Sequence, residues 1–364
     1  MKDHDVIIVG ASFAGLAVAN QLSAHRVLLI DRKPVGSGQT SACGTILQVL
    51  QNWDLTESVL QRHDSIVLHT ARNSFEFPSP YPWCTFDYRN LCQLLFERSD
   101  ADYLQATVMG CDREIVHTSH GNFRARCVVD ASGWRAVIAS SLQPGFERKN
   151  EMNFGIETIG SLPNDAHLDP TNLHFWYDPA ILKSGVGWVF PRGETAIFGV
   201  GSYRGATHLR RPLTQFVDRL FIQPNGLHGT YFPKSLRNPL AGNVFVVGDA
   251  AGMCIGLTGE GIRPALFFGE ACGRIVNRVL VGEFTLEAGL SEYSDFVEAR
   301  RYFYQIFSGA QEILSRVPTN WIDVISRFVS HELVLPWVLD QYWGLTRAWN
   351  KTSRVLLTRP VIEH

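Results

Sequence analysis

The sequence predicts an α/β protein: a Rossmann-type parallel-sheet domain, an antiparallel β-sheet inserted into it, and a helical C-terminal region. Three observations predict it. The chain opens with an apolar strand, a glycine-rich turn, a helix and a second strand ending in an acid. A second strand ending in Gly-Asp stands about two hundred residues later. Between the two, residues 151–205 alternate apolar and polar positions in short runs (NFGIETIG, LHFWYDP, VGWVFPRG, TAIFGVGSY) separated by Pro, Gly and Asp.

In the opening unit, Val6-Ile7-Ile8-Val9 is a continuous apolar run, as expected of a parallel strand buried on both faces. Gly10-Ala11-Ser12-Phe13-Ala14-Gly15 follows, then LAVANQLSA as a helix, then Val27-Leu28-Leu29-Ile30 ending in Asp31. Gly10 permits the tight turn, Gly15 allows close helix–strand packing, and small Ser12 stands at the middle glycine of GxGxxG. The free N–H groups of the helix start suit a pyrophosphate. Asp31, about 20 residues on, is placed to accept the hydroxyls of an adenosine ribose. An acid there repels a 2′-phosphate, which favours FAD or NAD over NADP. An ordinary βαβ crossover uses the same small residues for packing alone.

The distal motif reads Val244-Phe245-Val246-Val247-Gly248-Asp249-Ala250-Ala251-Gly252, followed by Thr258-Gly259-Glu260-Gly261-Ile262 opening a helix to about Val279. Two ribose or phosphate signatures in one chain point to one ligand spanning both, with Asp249 on a second polyol. The positive end of the helix dipole at 258–262 suits the flavin edge that becomes anionic on reduction.

On these residues the sequence resembles FAD-dependent enzymes of the para-hydroxybenzoate-hydroxylase fold and, among them, the geranylgeranyl reductase family. Gly10–Gly15, Asp31-Arg32-Lys33-Pro34, Asp87-Tyr88-Arg89 and the GDAAG…TGEGI segment match its motifs in family order. The resemblance implies FAD held by Gly10, Ser12, Phe13, Ala14, Gly15, Asp31, Arg32, Lys33, Gly44, Arg89, the backbone near Val108, Gly248, Asp249, Thr258, Gly261 and Ile262. Gly187-Trp188-Val189-Phe190-Pro191-Arg192 with Gly199-Val200-Gly201 is similar to the family's substrate-cavity segment, which makes Trp188, Phe190 and Pro191 candidate substrate residues. Val186 and Arg192 stand where the family carries Tyr and Lys. Plain sheet core gives the same Trp188/Phe190 alternation. Cys43-Gly44 falls where the family has a Cys-Gly beside the flavin, so Cys43 is the candidate proton donor; a small buried thiol packed on the ring is the other reading.

The implied activity is hydride transfer from reduced flavin to an apolar, isoprenoid-like alkene. The alternative is a monooxygenase or halogenase acting through a flavin C4a-hydroperoxide, and a third class is an electron-transfer protein without its own substrate. Asp130-Ala131-Ser132-Gly133 lacks the second acid of the aromatic hydroxylases. Only six of the 33 basic residues are Lys, and none lies between Lys33 and Lys149, where a halogenase needs one. The electron donor is NAD(P)H or a ferredoxin or separate reductase, since the one dinucleotide unit is taken by FAD.

Length, 364 residues, suits two or three units. The assignment is 1–62, 85–150 and 235–284 to a discontinuous FAD-binding domain, 63–84 and 151–234 to the sheet domain, and 285–364 to the helical region. Apolar residues at 45% and charged residues at 19% exclude a disordered chain, and a net charge of −2 with no basic patch gives no pull toward nucleic acid. Seven scattered cysteines without a CxxC pair fit neither a zinc site nor a disulfide framework, so free thiols and a cytoplasmic location are expected. No metal is expected, since His25, His63, His69, His117 and His120 lack ligand spacing. Val6–Ala24 is charge-free but follows an acidic start and is broken by Gly10 and Gly15, so it reads as strand–turn–helix rather than a membrane span. Four of the nine Trp (Trp321, Trp337, Trp343, Trp349) fall in the last 44 residues. They form either a lid with peripheral membrane contact for a lipid substrate or a bundle packed on the FAD domain.

Overall fold

The computed structural model describes residues 3–39, 41–112, 114–162, 168–317, 319–331 and 333–346. In chain order the first strands are β1 (Asp3–Val9), β2 (Val27–Asp31), β3 (Gly44–Ile46), β4 (Val59–Thr70) and β5 (Ser74–Phe86). Next come β6 (Asp102–Gln105), β7 (Val108–Asp112), β8 (Ile115–Thr118), β9 (Gly121–Asp130), β10 (Met152–Ser161) and β11 (Leu173–Tyr177). The last are β12 (Gly185–Arg192), β13 (Thr195–Ser202), β14 (Asn225–Pro233), β15 (Leu240–Ala241) and β16 (Val244–Val246). The helices are α1 (Phe13–Ala19), α2 (Leu47–Asn52), α3 (Tyr88–Glu97), α4 (Val137–Leu142), α5 (Arg210–Arg219), α6 (Ile262–Leu280), α7 (Leu286–Glu298), α8 (Arg301–Arg316), α9 (Thr319–Val329) and α10 (Leu335–Gly344).

The strands form two sheets. The first runs β15-β16-β9-β1-β2-β6, with the β7–β8 hairpin joined to β9, and the pairs β16–β9–β1–β2–β6 are parallel. Its central strand is buried on both faces: Val6 and Ile8 face one core cluster, Ile7 and Val9 another. That is why the sequence runs apolar without alternation there. The second sheet runs β14-β10-β13-β12-β11-β4-β5-β3. Its 151–205 segment is not a simple meander. Strand β10 pairs antiparallel with both β13 and β14, and β11 closes the sheet by pairing parallel with β4. Strand β4 runs from Val59 across the 62/63 position expected to divide the two units, because its first residues pair with Phe86 and Thr85. One face of this sheet buries Val189, Phe198 and Val200 under Leu213, Phe216 and Val217 of α5. The other face turns toward the first sheet.

Three helix boundaries differ from the sequence expectation, each for a local reason. Helix α1 stops at Ala19 because the Asn20 amide donates to Leu16 O (2.8 Å) and to Leu95 O (2.7 Å), capping the end. The segment 215–221 resembles a helix crossing the sheet, and α5 occupies 210–219 instead, ending where Phe221 takes φ +56°. Residues 258–260 form a turn, not helix: Ile255 N donates to Glu260 O (2.9 Å), Gly259 has φ +69°, and α6 begins at Ile262.

Helix α6 crosses α1 at bare backbone. A Cβ on Gly269 falls 2.7 Å from Ala14 O, and one on Gly273 falls 2.7 Å from Val18 O. The C-terminal helices follow. Trp343 packs on Trp83, with ring centroids 5.9 Å apart, whereas Trp321 (56%) and Trp337 (64%) are largely exposed. The C-terminal tryptophans therefore divide between packing and exposure; Trp349 lies outside the described residues. All seven cysteines are buried free thiols. Among the described residues no helix is long and apolar enough to cross a membrane.

The Gly269→Val variant tests the crossing. Overpacking there is expected to destabilise the fold by about 1–3 kcal/mol, read as a lower urea midpoint with an unchanged slope.

Candidate active site

Two sequence motifs meet at the start of α1. Gly10 takes φ +111°, and a Cβ on it would lie 2.1 Å from Ala131 O; one on Gly15 would lie 1.9 Å from Gly10 O. Gly248, with φ +67°, would place its Cβ 2.7 Å from Ala14 Cβ. The ends of β1, β9 and β16 thus converge on one helix start, packed backbone to backbone where the sequence motifs lead one to expect a dinucleotide groove. Asp31 borders it: its carboxylate accepts from Ala11 N (2.9 Å) and Lys33 N (3.0 Å). Ser12 Oγ bonds Tyr88 Oη (3.1 Å), and Phe13 stands edge-on to Tyr88 and Phe86. Arg89 is exposed, its backbone against Gly36 in the loop after Asp31. Arg32 is exposed and Lys33 Nζ donates to Gly38 O (3.3 Å). Val108 packs into the cluster on the outer face of the first sheet, so its side chain is not part of the groove.

At the other end, the half-buried Asp249 lies 3.5 Å (Oδ1) from the Cβ position of Gly261, so the GDAAG and TGEGI segments close on each other. Burial pushes the Asp249 carboxyl up to about 6 while the Arg237 guanidinium pulls the other way. Among the described residues none hydrogen-bonds this carboxylate. Ile262 is buried beside it, whereas Thr258 is exposed at the loop tip. Thr45 Oγ1, next to Cys43-Gly44, is buried and also lacks a partner among the described residues. Asp31 at the end of β2 and an unpartnered Asp249 carboxylate after β16, either side of the start of α1, fit the ribose and ribityl hydroxyls of FAD.

Cys43 adopts φ +55° and is 1% exposed, with its thiol donating to Ser41 O (3.2 Å). Burial, then the charge of Glu157, pushes this thiol well above its ordinary range. Gly44 has no room for a side chain, since a Cβ would fall 2.8 Å from the Phe190 ring. Strand β12 therefore presses directly on the Cys43-Gly44 turn at the start of β3. Phe175 stands edge-on to Phe190, with centroids 5.2 Å apart. The Trp188 indole fills the space over Gly199 (2.1 Å from its Cβ position) and Gly201 (3.1 Å), which explains the GxG spacing. Trp188 Nε1 is buried without a partner among the described residues. Pro191 is buried and its carbonyl accepts from Thr85 Oγ1 (2.7 Å).

Sequence reasoning missed two features. The first is the pair Glu157–His228 on this same sheet face, with Glu157 buried and His228 half-buried. The lone acid in NFGIETIG reads as an outward position of an alternating strand, and no sequence signal marks His228 as its partner. The second ties α10 to the TGEGI turn. Arg263 donates to both Glu260 oxygens (2.9 and 2.8 Å) and to Thr346 Oγ1 (2.8 Å), and Tyr342 Oη bonds Glu260. Beside it, a groove of about 490 Å³ runs between Pro78, Tyr81, Leu335, Pro336, Leu339 and Trp343.

No family model matches the chain. Digeranylgeranylglycerophospholipid reductase 3 of Methanosphaera stadtmanae is 22% identical over 343 residues, covering 82% of this chain and 83% of the relative. Geranylgeranyl diphosphate reductase of Rhodobacter capsulatus is 32% identical over 298 residues, 74% of this chain and 73% of the relative. This chain belongs to the geranylgeranyl reductase family. Membership makes it an FAD-dependent oxidoreductase, which agrees with the two acids flanking the start of α1. The crystal structure of a geranylgeranyl bacteriochlorophyll reductase-like protein from Thermoplasma acidophilum shares the fold, with a TM-score of 0.84 at 18% identity over 95% of this chain and 98% of that one. Oxygen-activating flavoenzymes share it more distantly. The myxobacterial chondrochloren halogenase gives 0.67 at 15% identity over 95% and 91%, a likeness of fold alone.

The Asp249 carboxyl gives a pH test. Its folded-state value, about 6, lies above the ordinary 3.8, so ionisation destabilises the apoprotein as pH climbs through that window. Asp249→Asn removes this term. The variant's stability relative to wild type is expected to rise between pH 4 and pH 7 in urea titrations, while its FAD retention falls.

Proposed function

We propose that this geranylgeranyl reductase family member saturates carbon–carbon double bonds of an isoprenoid chain. The observation that carries the reading is the aromatic wall of Phe175, Trp188 and Phe190, with Phe190 closing on Cys43-Gly44. Both curated relatives are prenyl reductases by name, which supports the same substrate class.

Reduced FAD, when bound, supplies the hydride. The chain's own residues supply the rest. Gly10, Gly15 and Gly248 let the strand ends and α1 approach closely enough to face the cofactor with backbone, and Asp31 and Asp249 take its hydroxyls. The aromatic wall excludes water and lays the alkene flat beside the Cys43 turn. Desolvation keeps Cys43 as a neutral S–H, so it holds the proton that the second alkene carbon needs. The groove between Tyr81, Leu335 and Trp343 gives a long apolar chain a way in, and the exposed Trp337 and Leu333 beside it support peripheral contact with a lipid surface. The electrons come from a separate donor, NAD(P)H or a ferredoxin-type protein, because the described residues form one dinucleotide-binding βαβ unit.

Anaerobic stopped-flow spectroscopy tests the reading. Photoreduced flavin is expected to reoxidise on mixing with geranylgeranyl diphosphate or a geranylgeranylated lipid, yielding a saturated product. Cys43→Ala is expected to slow this step about a hundredfold while leaving FAD binding intact. Absence of reoxidation by any prenyl alkene, with an oxygenated or halogenated product in air, overturns it.

A further inference from the structure

We infer that Trp343 is a gate: it closes the groove between α10 and β5 against Trp83, and a prenyl chain reaches the Cys43-Gly44 turn by turning it aside. The inference rests on the reductase reading above and names the residue that selects which chain passes. The groove begins at a bulge. His63 pairs with Trp83 and Ser65 with Pro78, so residues 79–82 of β5 stand against Asp64 alone. That excess, with Pro78, Pro80 and Pro82 in it or beside it, lifts Pro80-Tyr81 out of the ladder to make one wall. Leu335, Pro336 and Leu339 of α10 make the other, and Trp343, one helical turn past Leu339, completes the lining. Trp343 stands edge-on to Tyr81 (centroids 5.7 Å apart) and packs on Trp83 (5.9 Å). Trp83 in turn lies directly opposite Ile46 of β3, two residues past Gly44 and on the same face of that strand. Cys43, Ile46, Trp83, Phe190 and Tyr342 belong to one buried cluster, and Trp343 packs against it while lining the groove. Groove and Cys43 turn are therefore joined by contacts through Trp343, Trp83 and β3.

Of the two rings, Trp343 is the one free to turn. Trp83 is buried on a strand held between β4 and β3, whereas Trp343 is half-buried on the last turn of α10. The helix itself is anchored next door: Tyr342 Oη bonds Glu260, and the Tyr342 carbonyl accepts from Arg263 (3.3 Å). Trp343 can therefore swing while α10 stays in place. Its side chain is held by ring contacts alone, with Tyr81, Trp83, Tyr342 (4.9 Å) and the Arg263 guanidinium (5.3 Å). The indole Nε1 is buried without a partner among the described residues. A buried donor with no acceptor counts against the closed position, and turning the ring outward gives that N–H to water. Packing closes the gate, and the stranded donor keeps it easy to open. An apolar chain replaces the lost ring contacts as it enters. A charged head group does not, because it would shed its water without gaining a counter-charge. Arg263, the cation over the gate, is already held by both Glu260 oxygens. Trp343 touches no reacting atom; it sets which part of a substrate goes through.

The test uses the FAD-loaded full chain and phytanyl diphosphate, a saturated chain that cannot be reduced, carrying a diazirine at its tail end. Photolabelled residues are mapped by mass spectrometry after a series of mixing times. In wild type the label is expected first on the groove walls, 78–81 and 335–343, and later on 43–46. Trp343→Ala is expected to label 43–46 about tenfold sooner, as loss of one aromatic pair implies, with Trp343→Phe in between. The extent of labelling at long times is expected to agree within about twofold, which simple loss of packing would not give. Both variants are checked for wild-type melting and flavin absorbance; where the alanine variant melts early, the phenylalanine variant decides alone. Equal rates at 43–46 in wild type and variants, or label there with none on the groove walls at any time, overturns the gate. If the label moves as expected but no prenyl alkene is reduced, the reductase reading fails and the gate stands. If alkenes are reduced while the labelling rates are equal, the gate fails and that reading stands.

Discussion

Helix α1 is approached from three sides by backbone that carries no side chain, and the molecule is organised around that closeness. Gly10 lies under Ala131, Gly248 lies beside Ala14, and Gly269 and Gly273 of α6 lie on the back of the helix. A methyl group at any of these points would meet another atom within 2.1–2.7 Å. Close packing of this kind has no slack, so the strand ends of the first sheet are held where their polar backbone borders one groove. Asp31 and Asp249 then mark its two ends at positions set by β2 and β16.

The second sheet packs on itself through the same device. Gly44 yields its side-chain space to Phe190, and Gly199 and Gly201 yield theirs to Trp188. Small residues on β3 and β13 thus receive aromatic residues from β12 of the same sheet, which builds an aromatic wall against the Cys43-Gly44 turn. The Glu260–Arg263–Tyr342 network ties α10 to the turn that closes the groove, so the C-terminal helices border the site rather than hang from it. The polar pair Glu157–His228 is the exception on that face, reaching the edge strand β14 where His228 is partly exposed.

Much of this was legible in the sequence, for reasons tied to particular residues. Parallel strands buried on both faces write themselves as unbroken apolar runs, so β1 and β2 were plain, and Gly10, Gly15 and Asp31 have few substitutes in a dinucleotide turn. The GDAAG…TGEGI segment was readable as a motif, but not the turn at 258–260, which depends on Ile255 pairing with Glu260 across the loop. The parallel closure of β11 on β4 joins residues about a hundred positions apart, and no local pattern encodes it. Glu157 and His228 were hidden for the same reason: each looks like an ordinary outward-facing residue until the register of β10, β13 and β14 places them side by side.

The central claim is that the Cys43-Gly44 turn and the Phe175–Trp188–Phe190 wall enclose the place where flavin and substrate meet. A crystal structure of the FAD-loaded protein with a bound prenyl chain tests it most directly. The account predicts the adenosine end at Asp31, the isoalloxazine ring against Cys43-Gly44, and the prenyl double bond between that ring and Trp188 and Phe190. An isoalloxazine ring elsewhere, or a prenyl chain bound away from this wall, would contradict it.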